Sequence, residues 1–279
     1  NGWSCGANPL LLGKNDCEFE ASYLEGSTYT GYYARDFFTF DLRSSENDLK
    51  SPGERKKSSS GQKHTFGCAK SETNEFFRQA ANGILGLSPR SKPSLQPPSI
   101  VDFQSSLSEN VSKSFSLCLS KNGGMMRFGS SMPGLHLKGA RTVTVSSSNL
   151  RWDDLYTVPL YLISIGDLRV DYDYSKLQLN PGRVFFDTGS TYTYFSEELF
   201  SSWKRNFDRH CQRSGANCLG RSRYENCYEV QKSGFDFEKS ALSFPKVTFS
   251  FGEGKDFVWH PEDYLTEIEG AVCVGVKPM

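Results

Sequence analysis

Val184-Phe185-Phe186-Asp187-Thr188-Gly189-Ser190-Thr191 is the stretch on which the fold of this chain turns. Three apolar residues lead into a carboxylate, and a hydroxyl, a glycine and two further hydroxyls follow it. A short apolar run of this kind predicts a buried strand. A carboxylate that activates water must sit at a fixed point, and the end of a rigid strand supplies one. Gly189 lets the chain turn sharply there and lets a second backbone approach closely. The hydroxyls of Thr188, Ser190 and Thr191 can hold the carboxylate and its neighbours by charge-assisted hydrogen bonds. Asp-x-Gly is also an ordinary turn sequence, so the rest of the chain has to decide.

Outward from this motif, strand signals dominate. Residues 32–41 are aromatic-rich, and residues 155–170 hold two apolar runs broken at Ile165-Gly166-Asp167, a hairpin-like turn. Residues 244–251 alternate, and 256–259 follow a glycine-rich turn. Helical patterns are few: 72–81, the stretch around 99–108, and 196–210, where Ser196 is placed as the cap and Leu199, Trp203 and Phe207 recur every four residues. Many strands and few helices predict an all-β protein.

The 279 residues suffice for one large all-β domain or two lobes. Lys and Arg balance Asp and Glu at 32 each and are scattered, which argues against nucleic-acid binding. No apolar run reaches the roughly 18 residues needed to cross a bilayer. No signal-peptide pattern opens the chain, but Asn1 is an unusual first residue for a complete gene product, so missing ends would account for that. Eight cysteines, none in a Cys-x-x-Cys pair, argue for disulfides in an oxidising compartment rather than for a metal site. His210-Cys211 with Cys218 and Cys227 matches no common zinc spacing. Asn110-Val111-Ser112 is an N-glycosylation acceptor. Residues 43–63, with Leu49 as their one large apolar residue, read as a flexible surface insertion, with a basic docking loop as the alternative.

Asp187-Thr188-Gly189-Ser190 after two apolar residues resembles the active-site signature of the pepsin-like aspartic proteases. Other segments resemble that family in the family's order. Tyr23 to Gly31 looks like the flap, Asn82-Gly83-Ile84-Leu85-Gly86-Leu87 like the segment that threads beside a catalytic loop, and Gly67-Cys68, Phe115 to Leu119 and Met126 to Gly129 like strands of the first lobe. Phe244 to Val247, Pro261 to Leu265 and Cys273 look like the later part of the second. Tyr23-Leu24-Glu25-Gly26-Ser27 is most similar to the plasmepsin V branch, although Leu24 departs from the cysteine found there.

The resemblance implies a bilobal fold, with residues 1–140 as the N-terminal lobe and 141–279 as the C-terminal lobe. It implies an endopeptidase that uses no metal and no cofactor, acts as a monomer on an extended peptide or protein, and resides in the secretory pathway or is secreted. A membrane anchor, where one exists, would lie outside these residues. Asp187 becomes one of two catalytic carboxylates, Tyr23, Gly26 and Ser27 become the flap, and Gly189 and Thr191 contact substrate, with Thr188 and Ser190 in support. Glu25 becomes the reader of an arginine in an Arg-x-Leu-like cleavage motif, with Gln79 as a second polar contact; a solvated hairpin residue and a helix-surface amide are the plain alternatives. Cys227 and Cys273 match the C-lobe disulfide, and Cys211 with Cys218 could close a small loop. The pairing of Cys5, Cys17, Cys68 and Cys118 stays open.

The family needs two such aspartates, and residues 1–80 contain no second Asp-Thr/Ser-Gly. Both lobes are therefore expected to be incomplete, with the first catalytic motif upstream of Asn1 and the apolar-apolar-Gly threading segment of the C-terminal lobe beyond Met279. The competing expectations are a degenerate homologue that binds without cleaving, and a general digestive protease without arginine preference.

Overall fold

Alternating and four-residue apolar spacings become strands and one long helix in the computed structural model. It describes residues 18–23, 26–38, 62–77, 81–88, 99–102, 113–120, 123–129, 155–179, 184–213, 222–224, 226–229, 244–252, 254–268 and 271–279. The chain divides into two compact units, residues 1–135 and 136–279. Strands predominate in both, as an all-β fold requires.

In the first unit, β1 (Glu18–Ser22), β2 (Thr28–Phe38) and β3 (Gln62–Glu72) form an antiparallel sheet in that order. β4 (Phe115–Ser120) and β5 (Gly123–Phe128) form a hairpin. Aromatic rings fill one side of the first sheet. Phe19 lies 5.4 Å from Tyr29 and 5.3 Å from Tyr33, and Tyr29 meets Phe76 edge to face at 5.4 Å. Gly67 makes room for the Phe19 ring, since a Cβ there would stand 2.6 Å from it. Of the predicted helix over 72–81, residues 72–77 are instead the end of β3 followed by a short 3-10 turn, Asn74–Phe77, and 78–80 lie outside the described residues. Cross-strand pairing of Tyr29 with Glu72 holds the first residues of that stretch in the ladder, and Asn74 then takes φ 52°, outside the helical region. Of the insertion placed at 43–63, Gln62 and Lys63 belong to β3, and the remainder lies outside the described residues. Residues 100–102 are helical behind Ser99, whose hydroxyl accepts from the Asp102 amide at 3.1 Å; 103–108 lie outside the described residues.

The second unit runs β6 (Thr157–Val158), β7 (Leu162–Ile165), β8 (Leu168–Arg169), α1 (Ser175–Leu179), β9 (Val184–Phe185) and β10 (Thr193–Phe195), then α2 (Glu197–Arg213). β11 (Ser222–Tyr224), β12 (Cys227–Glu229), β13 (Val247–Ser250) and β14 (Asp256–Trp259) follow, then α3 (Pro261–Tyr264), β15 (Leu265–Ile268), β16 (Ala271–Val274) and β17 (Val276–Pro278). Two four-stranded sheets result, ordered β14-β13-β7-β8 and β11-β12-β16-β15. β6 pairs β9 antiparallel, and β10 pairs β17 in parallel.

α2 supplies the centre of the core. Ser196 caps it, accepting the Leu199 amide at 3.4 Å, and Glu197 and Glu198 place negative charge in its first turn. Its apolar stripe buries Leu199, Phe200, Trp203 and Phe207. Phe207 has no exposed surface and packs among Trp203, Tyr228, Phe244 and Tyr264. Ile163, Ile165 and Val247 of the neighbouring sheet are equally buried. The β7–β8 hairpin turns at Gly166 with φ 57°, and a Cβ there would run into the His210 ring. Tyr174 closes this side. Its hydroxyl accepts from the Ile163 amide at 3.0 Å and donates to the Val170 carbonyl at 3.3 Å.

Phe207→Ala should lower stability by about 3–5 kcal/mol, read as a lower urea midpoint at unchanged slope, because the ring sits where the surroundings cannot collapse onto the gap. A second prediction concerns pH. Burial pushes the Tyr174 hydroxyl up to about 12 from its ordinary 10.0. The folded state thus holds this proton where the unfolded chain has released it, and the contribution is intact below pH 10 and fades as pH rises toward 12. Tyr174→Phe cannot lose it that way. The stability gap between wild type and Tyr174→Phe should narrow across that window in unfolding curves taken at stepped pH, and a constant gap would contradict the assignment.

Candidate active site

Asp187 stands where two different strand pairings meet. On its upstream side β9 is held by β6, with Phe185 opposite Thr157, and the ladder is prolonged by the Phe186 amide donating to the Tyr156 carbonyl at 3.1 Å. On its downstream side the chain enters β10, where the Thr193 amide donates to the Gly275 carbonyl at 2.9 Å and Thr193 sits opposite Val276. The loop from Asp187 to Tyr192 is therefore anchored at both ends. Within it the carboxylate folds back on its own chain. Oδ1 accepts the Gly189 amide at 2.9 Å and Oδ2 accepts the Ser190 hydroxyl at 2.7 Å. The Ser190 amide also donates to the Asp187 carbonyl at 3.3 Å. With one bond to each oxygen, the plane of the carboxylate is set. A side chain at position 189 would bring its Cβ within 3.2 Å of Oδ1.

The expectation of a buried strand leading into Asp187 is corrected here. Phe185 is 45% exposed and Phe186 57% exposed. β9 is two residues long, and among the described residues it has a partner on one edge alone. Phe186 touches Phe251 edge to face at 6.0 Å. Asp187, Thr188, Gly189, Ser190 and Thr191 are all exposed. Asp187, Ser190 and Thr191 line an open pocket of about 350 Å³, whose other walls come from Tyr192, Thr193, the segment from Trp259 to Ile268, and Gly275.

The anchor of the loop leads back to the disulfide. Cys227 and Cys273 are bonded across β12 and β16, where they are direct neighbours. Asn226, adjacent in the chain, adopts φ 65°, a conformation asparagine tolerates, and is 5% exposed. Its side-chain amide donates to the Val276 carbonyl at 2.8 Å, and its own carbonyl accepts the Val274 amide at 2.8 Å. These bonds fix β17, which in turn fixes β10. At the loop's far end Lys277 places its ammonium 3.8 Å from the centroid of the Tyr192 ring. No local pattern points to Asn226 or Lys277, because their partners are distant in the chain. An asparagine in a two-residue hairpin turn is the one local trace of the first.

The other candidate residues belong to the first unit. Tyr23 and Ser27 close the β1–β2 hairpin: the Tyr23 amide donates to the Ser27 carbonyl and the Gly26 amide to the Tyr23 carbonyl, both at 2.9 Å. Gly26 takes φ 89°, which favours glycine. Tyr23 is 38% exposed, and its ring meets Tyr29 at 5.9 Å and Phe76 at 5.4 Å. Ser27 is fully buried. Thr73 and Asn74, which pattern reading had assigned to a helix, clamp this hairpin. The Thr73 hydroxyl accepts the Thr28 amide at 2.9 Å, and the Asn74 side-chain amide donates to the Gly26 carbonyl at 2.8 Å. Glu25 and Gln79 lie outside the described residues, as do Cys5, Cys17, Cys218 and Asn110. Residues 81–88 carry no helix or strand, and Ile84 and Leu85 are exposed. Cys68 is exposed and forms no disulfide among the described residues. No cluster of three or more His, Cys, Asp or Glu with metal-binding geometry occurs among the described residues.

Comparison with known proteins agrees with this layout. Residues 12–130 match the family model described as xylanase inhibitor N-terminal, and residues 155–279 match the model described as xylanase inhibitor C-terminal. Aspartic proteinase-like protein 1 of Arabidopsis thaliana is 24% identical over 95% of this chain and 45% of its own length. Nepenthesin-1 of Nepenthes gracilis is 26% identical over 94% of this chain and 53% of its own. Plasmepsin V of Plasmodium falciparum is 21% identical over the same shares. The chain thus spans about half the length of the curated relatives it matches. Two family models that cover residues 12–130 and 155–279 in order, with relatives named as aspartic proteinases matched along nearly the whole chain, place this protein in the family of pepsin-like aspartic proteases.

Proposed function

We propose that the protein is an aspartic-type endopeptidase in which Asp187 is one of two carboxylates that share a proton and activate a water. The observation that carries this reading is the Asp187 carboxylate itself, fixed by Gly189 and Ser190 at the edge of an open pocket. A carboxylate so held can accept a proton from water as the water attacks a carbonyl carbon. The second carboxylate of the pair donates to the carbonyl oxygen and then to the leaving amine. Two like charges this close cannot both ionise, so the pair shares one proton and titrates as a unit. Thr191 and the Gly189 backbone contact the substrate chain beside Asp187, and Tyr23, Gly26 and Ser27 are assigned as a flap over an extended peptide. Glu25 reads an arginine, with Gln79 in support, by charge-assisted hydrogen bonds. Processing of secretory or exported proteins at an Arg-x-Leu-like motif is the substrate assignment. The Cys227–Cys273 disulfide favours an oxidising compartment.

A second reading has a specific observation behind it. The matching family models are named for xylanase inhibitors, and such domains include inactive members. On that reading the same fold binds a partner or peptide without cleaving it.

The full-length protein should cleave extended peptides, and Asp187→Asn should reduce kcat by at least about 10²–10⁴-fold, the worth of a positioned acid–base group. Full activity in Asp187→Asn would contradict the assignment, and binding without cleavage by the wild type would favour the inactive reading. Glu25→Ala should reduce kcat/KM about tenfold or more for arginine-containing peptides and leave arginine-free peptides unchanged. An equal effect on both sets would return Glu25 to the role of a solvated hairpin residue and favour a general digestive protease.

A further inference from the structure

The pocket beside Asp187 carries a second carboxylate in its wall. Asp263 lines it together with Trp259, Tyr264, Thr266 and Ile268. No lysine, arginine or histidine is among the lining residues. Asp263 is exposed, and the one hydrogen bond of its side chain among the described residues is acceptance of the His260 amide by Oδ2 at a long 3.4 Å, as the N3 member of the capping box of the short helix α3. It therefore keeps acceptor capacity for a guest. Lys277 is engaged on the Tyr192 ring and lines no part of the pocket. At about 350 Å³ the pocket is within the size range of small-ligand sites. Apolar and aromatic walls with an acidic wall residue suit a guest with an aliphatic stem and a positive head.

We propose that this pocket takes an arginine or lysine side chain of the peptide substrate, its stem against Trp259 and Ile268 and its head at Asp263. The inference rests on the protease reading of Asp187 and adds a basic position to that read by Glu25, one supplied by the second unit alone. A neutral side chain of equal length would gain the same apolar contact but leave Asp263 hydrated and unpaired. Discrimination at an accessible ion pair is modest, about fivefold.

The test uses the full-length protein and peptide sets that differ only by arginine, lysine or norleucine at each position flanking the scissile bond. One such position should show kcat/KM about fivefold higher for arginine and lysine than for norleucine, and Asp263→Asn should abolish that ratio. Asparagine retains an acceptor for the His260 amide, so the helix cap survives, and norleucine peptides should be cleaved at the wild-type rate. The same peptides are titrated calorimetrically against Asp187→Asn with and without Asp263→Asn, which reads the preference without catalysis. A binding preference that Asp263→Asn removes, in a protein whose wild type cuts nothing, would overturn the protease reading and support the pocket assignment. No cationic preference beyond the one that Glu25→Ala removes, or such a preference that survives Asp263→Asn, would overturn the pocket assignment while leaving cleavage intact.

Discussion

The carboxylate of Asp187 holds one orientation because the chain turns back beneath it, and that turn is possible only where both flanking strands are pinned. Gly189 and Ser190 supply the two bonds, at 2.9 and 2.7 Å. The turn itself is held from upstream by β6 and from downstream by β17. β17 is in turn held by Asn226, next to the Cys227–Cys273 bond, and β10 delivers Phe195 into the core against Trp203 at 6.2 Å. A side chain that is itself exposed thus depends on a chain of buried contacts reaching into α2. This is the arrangement that preorganisation demands, with mobile solvent on one face and rigid packing on the other.

Local features of this architecture were legible in the sequence, and cooperative ones were not. The spacing of Leu199, Trp203 and Phe207 and the serine before them define α2, because an amphipathic helix is encoded within a few turns. Gly166 marks its hairpin, and the alternation from Phe244 to Phe251 marks β13, for the same reason. Asp187 and Gly189 lie two residues apart, so the motif and its bond to Ser190 could be anticipated together, whereas Thr188 and Thr191 make no bond to the carboxylate among the described residues. The exposure of Phe185 and Phe186 could not be anticipated. Apolar character gives a preference for cover, but whether a two-residue strand receives it depends on the partners that the fold assembles. Residues 72–81 failed in a related way. Their composition favours a helix, yet pairing with Tyr29 keeps Glu72 in the sheet, and the Asn74–Gly26 bond rewards a turn.

The pocket illustrates the limit most clearly. Its walls come from the catalytic-type loop, from α3 and β15, and from Gly275, three stretches with no sequence relation to one another. Asp263 read alone is a helix-capping residue, and it is one. Only its place in the same wall as Trp259 and in the same cavity as Asp187 gives it a second meaning. Membership of the pepsin-like family was legible because motifs are short and ordered. The chemistry that distinguishes this member is spread over residues that only folding brings together.

On the protease reading the Asp187 carboxylate faces the reacting carbon of a bound peptide. A crystal structure of the full-length protein with a substrate peptide whose scissile amide is replaced by a secondary alcohol, a stand-in for the tetrahedral intermediate, tests this. The alcohol oxygen should lie within hydrogen-bonding distance, about 3 Å, of an Asp187 carboxylate oxygen that still accepts from Gly189 or Ser190. An alcohol bound away from Asp187, with that carboxylate contacting only its own loop, would contradict it.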